Sequence, residues 1–244
     1  KKNVAMLSAA LLAISTWNIM LYRAGFEANI ALLFVVTGTW MVLKARENST
    51  YLLYCWLPFV VGIYIFNSTR YAGPLLALGL VVFVRKNIRK KQFMYGLLIA
   101  LVALIPILPH LMSRESRLRF EEVSIFTDLR TVLTSNTRRE VDRFFWWSAI
   151  MHNRRVGYAR EYFIHFIDNL EPRFLFIKGD GNPKFSIQDT GQLLLVSAPF
   201  VVYGVLTLFR DFPAVGWLLI WWLLVSIAPT AVARETPHAL RIEN

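Results

Sequence analysis

The chain has 244 residues and a formal net charge of +11, and 56% of its residues are hydrophobic whereas only 18% are charged. Soluble domains usually carry about a quarter charged residues. This composition, with a mean hydropathy of +0.45, excludes an ordinary soluble domain.

Seven stretches along the chain contain no Asp, Glu, Lys or Arg. They are residues 4–22, 28–43, 51–66, 71–84, 93–109, 191–209 and 212–233. A membrane-spanning helix needs roughly 20 mostly apolar residues, and the stretches lack the alternation of a membrane β-barrel. The sequence therefore predicts an all-α, multi-pass membrane protein with about seven spanning segments. About five lie within residues 1–109 and two within 191–233, with Gly191 opening the first of these two.

One long polar loop, residues 110–190, separates the two groups of predicted spans. It has 13 basic and 11 acidic residues and many aromatic ones, a mixture that favours a folded domain over a disordered linker. Residues 136–170 are predicted to be helical, with a cap at Ser135 or Asn136. Residues 234–244 begin another loop, and neither end of the chain carries a terminal signal. We therefore expect the chain to be a fragment of a longer protein.

The basic residues indicate how the helices are oriented. If the N-terminus is cytoplasmic, the inner segments 1–3, 44–50, 85–92 and 210–211 hold ten Lys and Arg residues in 20 positions. The short outer segments hold four in 29 positions. Because Lys and Arg concentrate in cytoplasmic loops, this distribution predicts an extracytoplasmic long loop. It also explains the positive charge as a signal facing anionic lipid, without a nucleic-acid partner.

The three short outer loops each place a charged residue beside an aromatic one. Ionisable residues near a membrane are candidates for function, although arginine can also serve as an interfacial anchor. Together the loops could line a basic cleft that holds an anionic lipid phosphate. The candidates are Arg23, with Glu27 as its partner, Arg70, His238 and Arg241. In the long loop the candidates are His152, Asn153 and His165. The four histidines are too scattered to predict a metal site.

Several motifs, taken in order, resemble the prokaryotic transferases of glycosyltransferase family 39. These are relatives of the dolichyl-phosphate-mannose–protein mannosyltransferases and the aminoarabinose transferases. The motifs are Thr16-Trp17-Asn18, Tyr22-Arg23-Ala24-Gly25-Phe26-Glu27-Ala28-Asn29, Met151-His152-Asn153, His165-Phe166, residues 174–180, Gly191-Gln192-Leu193, Pro199 and Pro237-His238-Ala239-Leu240-Arg241. Each motif alone is weak, but the series covers nearly the whole chain.

This resemblance implies a GT-C helical bundle that takes a sugar from a polyprenyl-phosphate carrier at the extracytoplasmic face of a prokaryotic plasma membrane. The family's catalytic base is an acidic residue in the first outer loop, which this chain lacks. We therefore expect the base upstream of residue 1. Arg23, Arg70, His238 and Arg241 would stabilise the departing phosphate. No cofactor is evident, and a divalent metal, the sugar and the acceptor (protein, lipid or glycan) stay open.

Three other functions stay open at this stage. A polytopic transporter would place charged residues near the bilayer midplane, often in repeated halves, whereas these spans are uncharged and show no repeat. A flippase or ligase of lipid-linked sugars is closer to the predicted transferase. A catalytically silent membrane scaffold is the third alternative.

Overall fold

A computed structural model describes residues 2–243, without the side chain of Asn87. Helices form nearly all of its regular structure, and within these residues the extended backbone is limited to one isolated bridge. The predicted all-α class is confirmed. The thirteen α-helices of this range are α1 Lys2–Ala13, α2 Thr16–Arg23, α3 Glu27–Lys44, α4 Trp56–Ile65, α5 Thr69–Val84, α6 Lys90–Leu104, α7 Leu108–Leu111, α8 Arg114–Val123, α9 Leu129–Val141, α10 Trp146–Met151, α11 Arg154–Asp168, α12 Ala198–Asp211 and α13 Pro213–Thr230.

Three helical segments are long and apolar enough to cross a membrane. They are α3, the continuous segment Lys90–Leu111 that joins α6 to α7, and α13. A fourth span is possible if α1 and α2, which meet at an angle of 53°, are taken together. The protein is thus a helical membrane protein. The count of about seven spans stays a prediction, because Ser49–Ile65 and Thr69–Val84 are apolar but shorter.

The helix predicted to open at Gly191 begins later, at Ala198, so that part of the prediction is wrong. The reason lies in the backbone before it. Gln192 N donates to the Phe174 carbonyl at 3.4 Å, and Leu193 N donates to the Leu175 carbonyl at 2.7 Å. The paired stretch stays extended, as at Leu194 with ψ of 136°, so it does not form a first helical turn, and α12 is left with 14 residues.

The single helix predicted over 136–170 is also wrong, because this range contains breaks between α9, α10 and α11. Arg143 and Phe144 have φ of 50° and 52°, a left-handed conformation that ends a regular helix. Ser135 and Asn136 lie inside α9 and do not cap it. The cap is Asp128, whose side chain accepts a hydrogen bond from Arg130 N at 2.9 Å.

The buried core lies among α3, α4, α5 and α13. Val35, Leu52, Phe59 and Leu80 are among its buried apolar residues. Close helix approach also depends on small residues here, as is common between membrane helices. A Cβ atom at Gly38, for example, would lie 2.6 Å from the Phe59 ring.

The contact between α5 and α13 depends on one tryptophan and one glycine. The Trp221 indole Nε1 donates to the Leu75 carbonyl at 2.9 Å. A Cβ atom at Gly79 would overlap the Trp221 ring. The absence of a side chain at position 79 therefore lets the indole reach the backbone of α5.

Replacing Gly96 by alanine is expected to destabilise the protein. Gly96, in α6, packs against the 3-10 turn Ser49–Leu53, and a Cβ atom there would overlap the Leu52 carbonyl oxygen. Because this neighbour is backbone, the helix must shift, at a cost of about 1–3 kcal/mol. Thermal unfolding in detergent micelles measures the change.

The control for this substitution is Gly204→Ala. Gly204 lies within α12 with nothing near its Cβ position, and alanine there gains up to about 1 kcal/mol of helix propensity. Equal melting temperatures for the two variants would contradict the close packing at Gly96.

Candidate anion-binding site

Residues 231–243, called here the closing segment, follow α13 and attach to the start of the long loop. Ile125 N donates to the Val232 carbonyl at 2.9 Å, and Arg234 N donates to the Val123 carbonyl at 2.9 Å. The Arg234 guanidinium also donates from Nε to the Ser124 carbonyl at 3.0 Å. These three hydrogen bonds hold residues 232–234 of the closing segment against residues 123–125 of the long loop.

Further along, the closing segment attaches to the end of the long loop and to Ser68, the residue before α5. Asp180, which is buried, accepts a hydrogen bond from Ala239 N at 2.7 Å. The Asn169 side chain accepts from His238 N at 3.1 Å. The Ser68 hydroxyl donates to the Arg241 carbonyl at 2.9 Å. These bonds fix the position of the segment that carries His238 and Arg241.

Aromatic rings link the first short loop to the same place. The Phe26 ring lies 5.3 Å from the Phe185 ring, and the Phe185 ring lies 4.8 Å from the His238 ring. Such ring pairs contribute about 0.5–1.5 kcal/mol beyond the area they bury. The loops around residues 26, 68 and 238 therefore meet at one end of the helices, together with the end of the long loop.

Three arginines gather at this end without a partner of opposite charge in direct contact. Arg119, on α8, lies close enough to Arg70 and to Arg241 to act on both charges. In the described part of the chain, none of the three forms an ion pair within 4.0 Å. Arg70 donates from Nε to the Ile63 carbonyl at 3.4 Å. No carboxylate thus neutralises any of the three guanidinium groups by direct contact, and Glu235 acts on Arg241 from a greater distance.

Two charged neighbours, Glu235 and Arg119, act on the guanidinium of Arg241 in opposite directions. Burial lowers the pKa of Arg241, Glu235 opposes this shift, and the charge of Arg119 lowers the pKa further. Guanidinium groups stay protonated despite such shifts, so the repulsion persists. A bound phosphate or carboxylate would relieve it, because arginine forks match these anions with paired hydrogen bonds.

Arg23 and Glu27 do not form the predicted partnership. Both side chains are exposed, and no ion pair joins them in residues 2–243. Arg23 ends α2 and Glu27 begins α3, with Gly25 turning the chain between them at φ of 68°. An exposed pair would gain little from contact, so water solvates each charge separately.

His238 is buried and belongs to the closing segment's attachment. Its Nδ1 lies 4.0 Å from the Asp180 carboxylate, too far for a hydrogen bond, and this nitrogen has no other partner. Burial lowers the pKa of His238 to about 4, and the charge of Arg241 adds to the effect. The ring is therefore neutral at neutral pH and cannot supply positive charge to an anion.

Acidification is expected to weaken the attachment of the closing segment in the wild-type protein more than in a His238→Phe variant. The docked ring resists protonation until about pH 4, whereas a released histidine takes up a proton below about pH 6.5. Stability from His238 is thus complete above pH 6.5 and is lost as the pH falls towards 4. At pH 5 the difference amounts to about 2 kcal/mol.

Phenylalanine preserves the stacking on Phe185 and cannot titrate. Two carboxyl groups have the opposite effect on stability as the pH falls, because burial raises the pKa of Asp180 and raises that of Glu243 to about 7. Both groups are present in wild type and in the variant. The measured quantity is therefore the melting temperature of the variant minus that of wild type, at pH 7.5 and at pH 5. A difference that does not grow on acidification would contradict a neutral buried His238.

The three candidates in the long loop make structural contacts. His152 Nε2 lies 2.8 Å from the Asp142 carboxylate, and its carbonyl accepts a hydrogen bond from the Ser135 hydroxyl. Asn153 caps α11 by accepting from Arg155 N at 2.9 Å. None of these contacts involves the three gathered arginines.

His165 lies nearer the closing segment than the other two. Its Nδ1 is 2.8 Å from the Ala233 carbonyl, so it connects α11 to the beginning of that segment. This contact also positions backbone and leaves His165 outside the group of arginines. Within residues 2–243, no three His, Cys, Asp or Glu side chains lie close enough to hold a metal ion.

Three site residues escaped the sequence reasoning. Arg119 is one of three arginines in α8, and its spacing does not distinguish it from Arg114 and Arg117. Asp180 ended one of the family motifs, residues 174–180, but no property of its polar neighbours in the sequence signalled its burial. Glu243 has both carboxylate oxygens buried without a hydrogen-bond partner, and its charge acts on the phenol of Tyr22.

Comparisons with protein-family models, with curated proteins and with solved structures gave no match to this chain. The fold and the site nevertheless define a class. The chain is a helical membrane protein whose loops and closing segment meet at one end of the helices. Three arginines gathered there form a candidate site for an anion.

Proposed function

We propose that the protein is a membrane glycosyltransferase of the GT-C kind, which moves a sugar from a polyprenyl-phosphate carrier to an acceptor. The observation that carries the proposal is the gathering of Arg70, Arg119 and Arg241 without an ion-pair partner. A lipid phosphate suits this place, because the prenyl chain can stay in the bilayer while the headgroup reaches the ends of the helices.

The arginines have a defined part in the proposed reaction. The acceptor hydroxyl attacks the anomeric carbon of the sugar, the bond from that carbon to the phosphate oxygen breaks, and the polyprenyl phosphate leaves with added negative charge. Positioned cations stabilise charge that develops in a transition state more strongly than charge already present. A carboxylate takes the proton of the acceptor hydroxyl.

The remaining features of the proposal follow from the sequence. The distribution of Lys and Arg supports an extracytoplasmic location for residues 110–190 and the closing segment, and the family resemblance supports a prokaryotic plasma membrane. The series of motifs shared with glycosyltransferase family 39 supports the type of reaction. The partners are then the lipid bilayer, the lipid-linked sugar and an acceptor that is a protein, a lipid or a glycan.

One assay tests this function directly. The protein, in the full length of its natural chain, is incubated in membranes with radiolabelled polyprenyl-phosphate sugars, and the label is followed by extraction and chromatography. Transfer of the label from the carrier to an acceptor is expected. Label that stays on the carrier, together with solute uptake by liposomes containing the protein, would overturn the proposal in favour of a transporter.

A further inference from the structure

Helix α11 has one side that contacts the rest of the protein. Its tyrosine and histidine on this side contact backbone carbonyls near the end of α13, and its glutamate contacts α9. The hydrogen-bonded pairs are Glu161 with Thr131, Tyr162 with Ala228 and His165 with Ala233, at 2.6, 3.2 and 2.8 Å. These contacts fix the rotation of α11 about its own axis.

The opposite side of α11 is apolar and uncovered. Val156, Phe163, Ile164 and Ile167 are 45%, 66%, 44% and 62% exposed. Offsets of seven, eight and eleven residues place them in one stripe along a helix. Arg160, which is also exposed, falls within the same stripe. An uncovered apolar stripe of this size is unusual in water.

The position of α11 relative to the membrane follows from its contact with α13. The Tyr162 hydroxyl donates to the carbonyl of Ala228, which lies in the last turn of that spanning helix. A helix held at the end of a span lies at the level of the lipid headgroups, where tyrosine is also common. The uncovered stripe is thus close to lipid and not far out in solution.

We propose that α11 lies in the headgroup layer of the bilayer and binds anionic phospholipid. The stripe contacts the upper parts of the acyl chains, as in other interfacial amphipathic helices. The basic residues Arg155 and Arg160 are exposed and reach lipid phosphates, since long basic side chains extend along apolar surface towards charge.

A groove beside the stripe supports the same ligand. It is open and mostly apolar, and Arg155 contributes to its lining. Its aromatic lining residues are Phe126, Tyr158, Tyr162 and Phe163. An acyl chain fits the aromatic lining and a phosphate fits the guanidinium, so one phospholipid satisfies both. This inference does not depend on the proposed sugar transfer.

The test places an environment-sensitive fluorophore either on the apolar stripe of α11 or at a control position away from it. Single cysteines replace Phe163 or Ile167, with Lys184→Cys as the control, because Lys184 is exposed in the same loop region. The native Cys55 is buried and gives an unlabelled parent protein. Each labelled protein is placed in nanodiscs of phosphatidylcholine and phosphatidylglycerol, at one copy per disc.

Labels at 163 and 167 are expected to lose most of their fluorescence to a spin label near the lipid headgroups and little to aqueous iodide. The label at 184 should show the reverse. With a label at Val156→Cys, adding Phe163→Asp and Ile167→Asp should remove most of the lipid quenching. Iodide quenching at 163 and 167 as strong as at 184 would overturn the proposal. Shielding from both quenchers would also overturn it, because another protein segment then covers the stripe.

Discussion

Alanine at Arg70 or Arg241 is expected to lower the rate of transfer from a polyprenyl-phosphate donor by about 10²–10³-fold, the usual loss when a positioned group that stabilises transition-state charge is removed. Both side chains are partly buried, so water replaces them poorly. Alanine at Arg119, which is exposed, should cost less. Initial rates with a radiolabelled donor, at equal amounts of protein, measure the effect.

Arg117→Ala is the matched control for these substitutions. Arg117 is exposed in α8, two residues from Arg119, and this spacing turns it to another side of the helix. Its variant should keep the wild-type rate. Arg241→Lys should recover only part of the lost activity, because lysine lacks the planar fork. Wild-type rates in the alanine variants of Arg70, Arg119 and Arg241 would show that these arginines take no part in the reaction.

Alanine at Asp180 is expected to release the closing segment. The buried carboxylate accepts hydrogen bonds from Ala239 N at 2.7 Å and Asn182 N at 2.9 Å. Only the bond from Ala239 joins the closing segment, and a hydrogen bond to a charged group is worth about 1.5–3 kcal/mol, so the attachment should weaken by about this amount. The amides of residues 238–241 should then exchange with solvent far faster, which hydrogen exchange with mass spectrometry records.

The variant Asp189→Ala separates this effect from a general loss of stability. Asp189 is an exposed residue of the same loop, and its replacement should leave exchange in the closing segment unchanged. Asp180→Asn keeps one acceptor oxygen and should give an intermediate rate. If residues 238–241 exchange equally in Asp180→Ala and in wild type, Asp180 does not hold the segment.

The helices were predictable because their signal is local. An uncharged apolar run has to bury its backbone polar groups in lipid or in protein, and helices satisfy them within the run. Each of the seven predicted stretches contains helix in the structure. The boundaries were less predictable: α12 starts late because Gln192 and Leu193 bond to distant carbonyls, and no property of residues 191–197 themselves reveals those partners.

The site was predictable only in part, because its geometry depends on residues far apart in the sequence. Charge beside aromatic residues drew attention to Arg70, His238 and Arg241; the last two belong to the closing segment, and Arg70 lies at the same end of the helices. The same signal also selected Arg23 and Glu27, which remain in solvent. Arg119 has no local distinction at all, and only the packing of α8 reveals its neighbours.

The pairing of Trp221 with Gly79 has a consequence for how this sequence can change over evolutionary time. A larger residue at position 79 is tolerable only after the indole at 221 has been lost, and losing the indole first leaves a gap beside the glycine. The two positions should therefore be inherited as a unit. Selection should remove single substitutions at either site. Related sequences with alanine at 79 should also have a smaller side chain at 221.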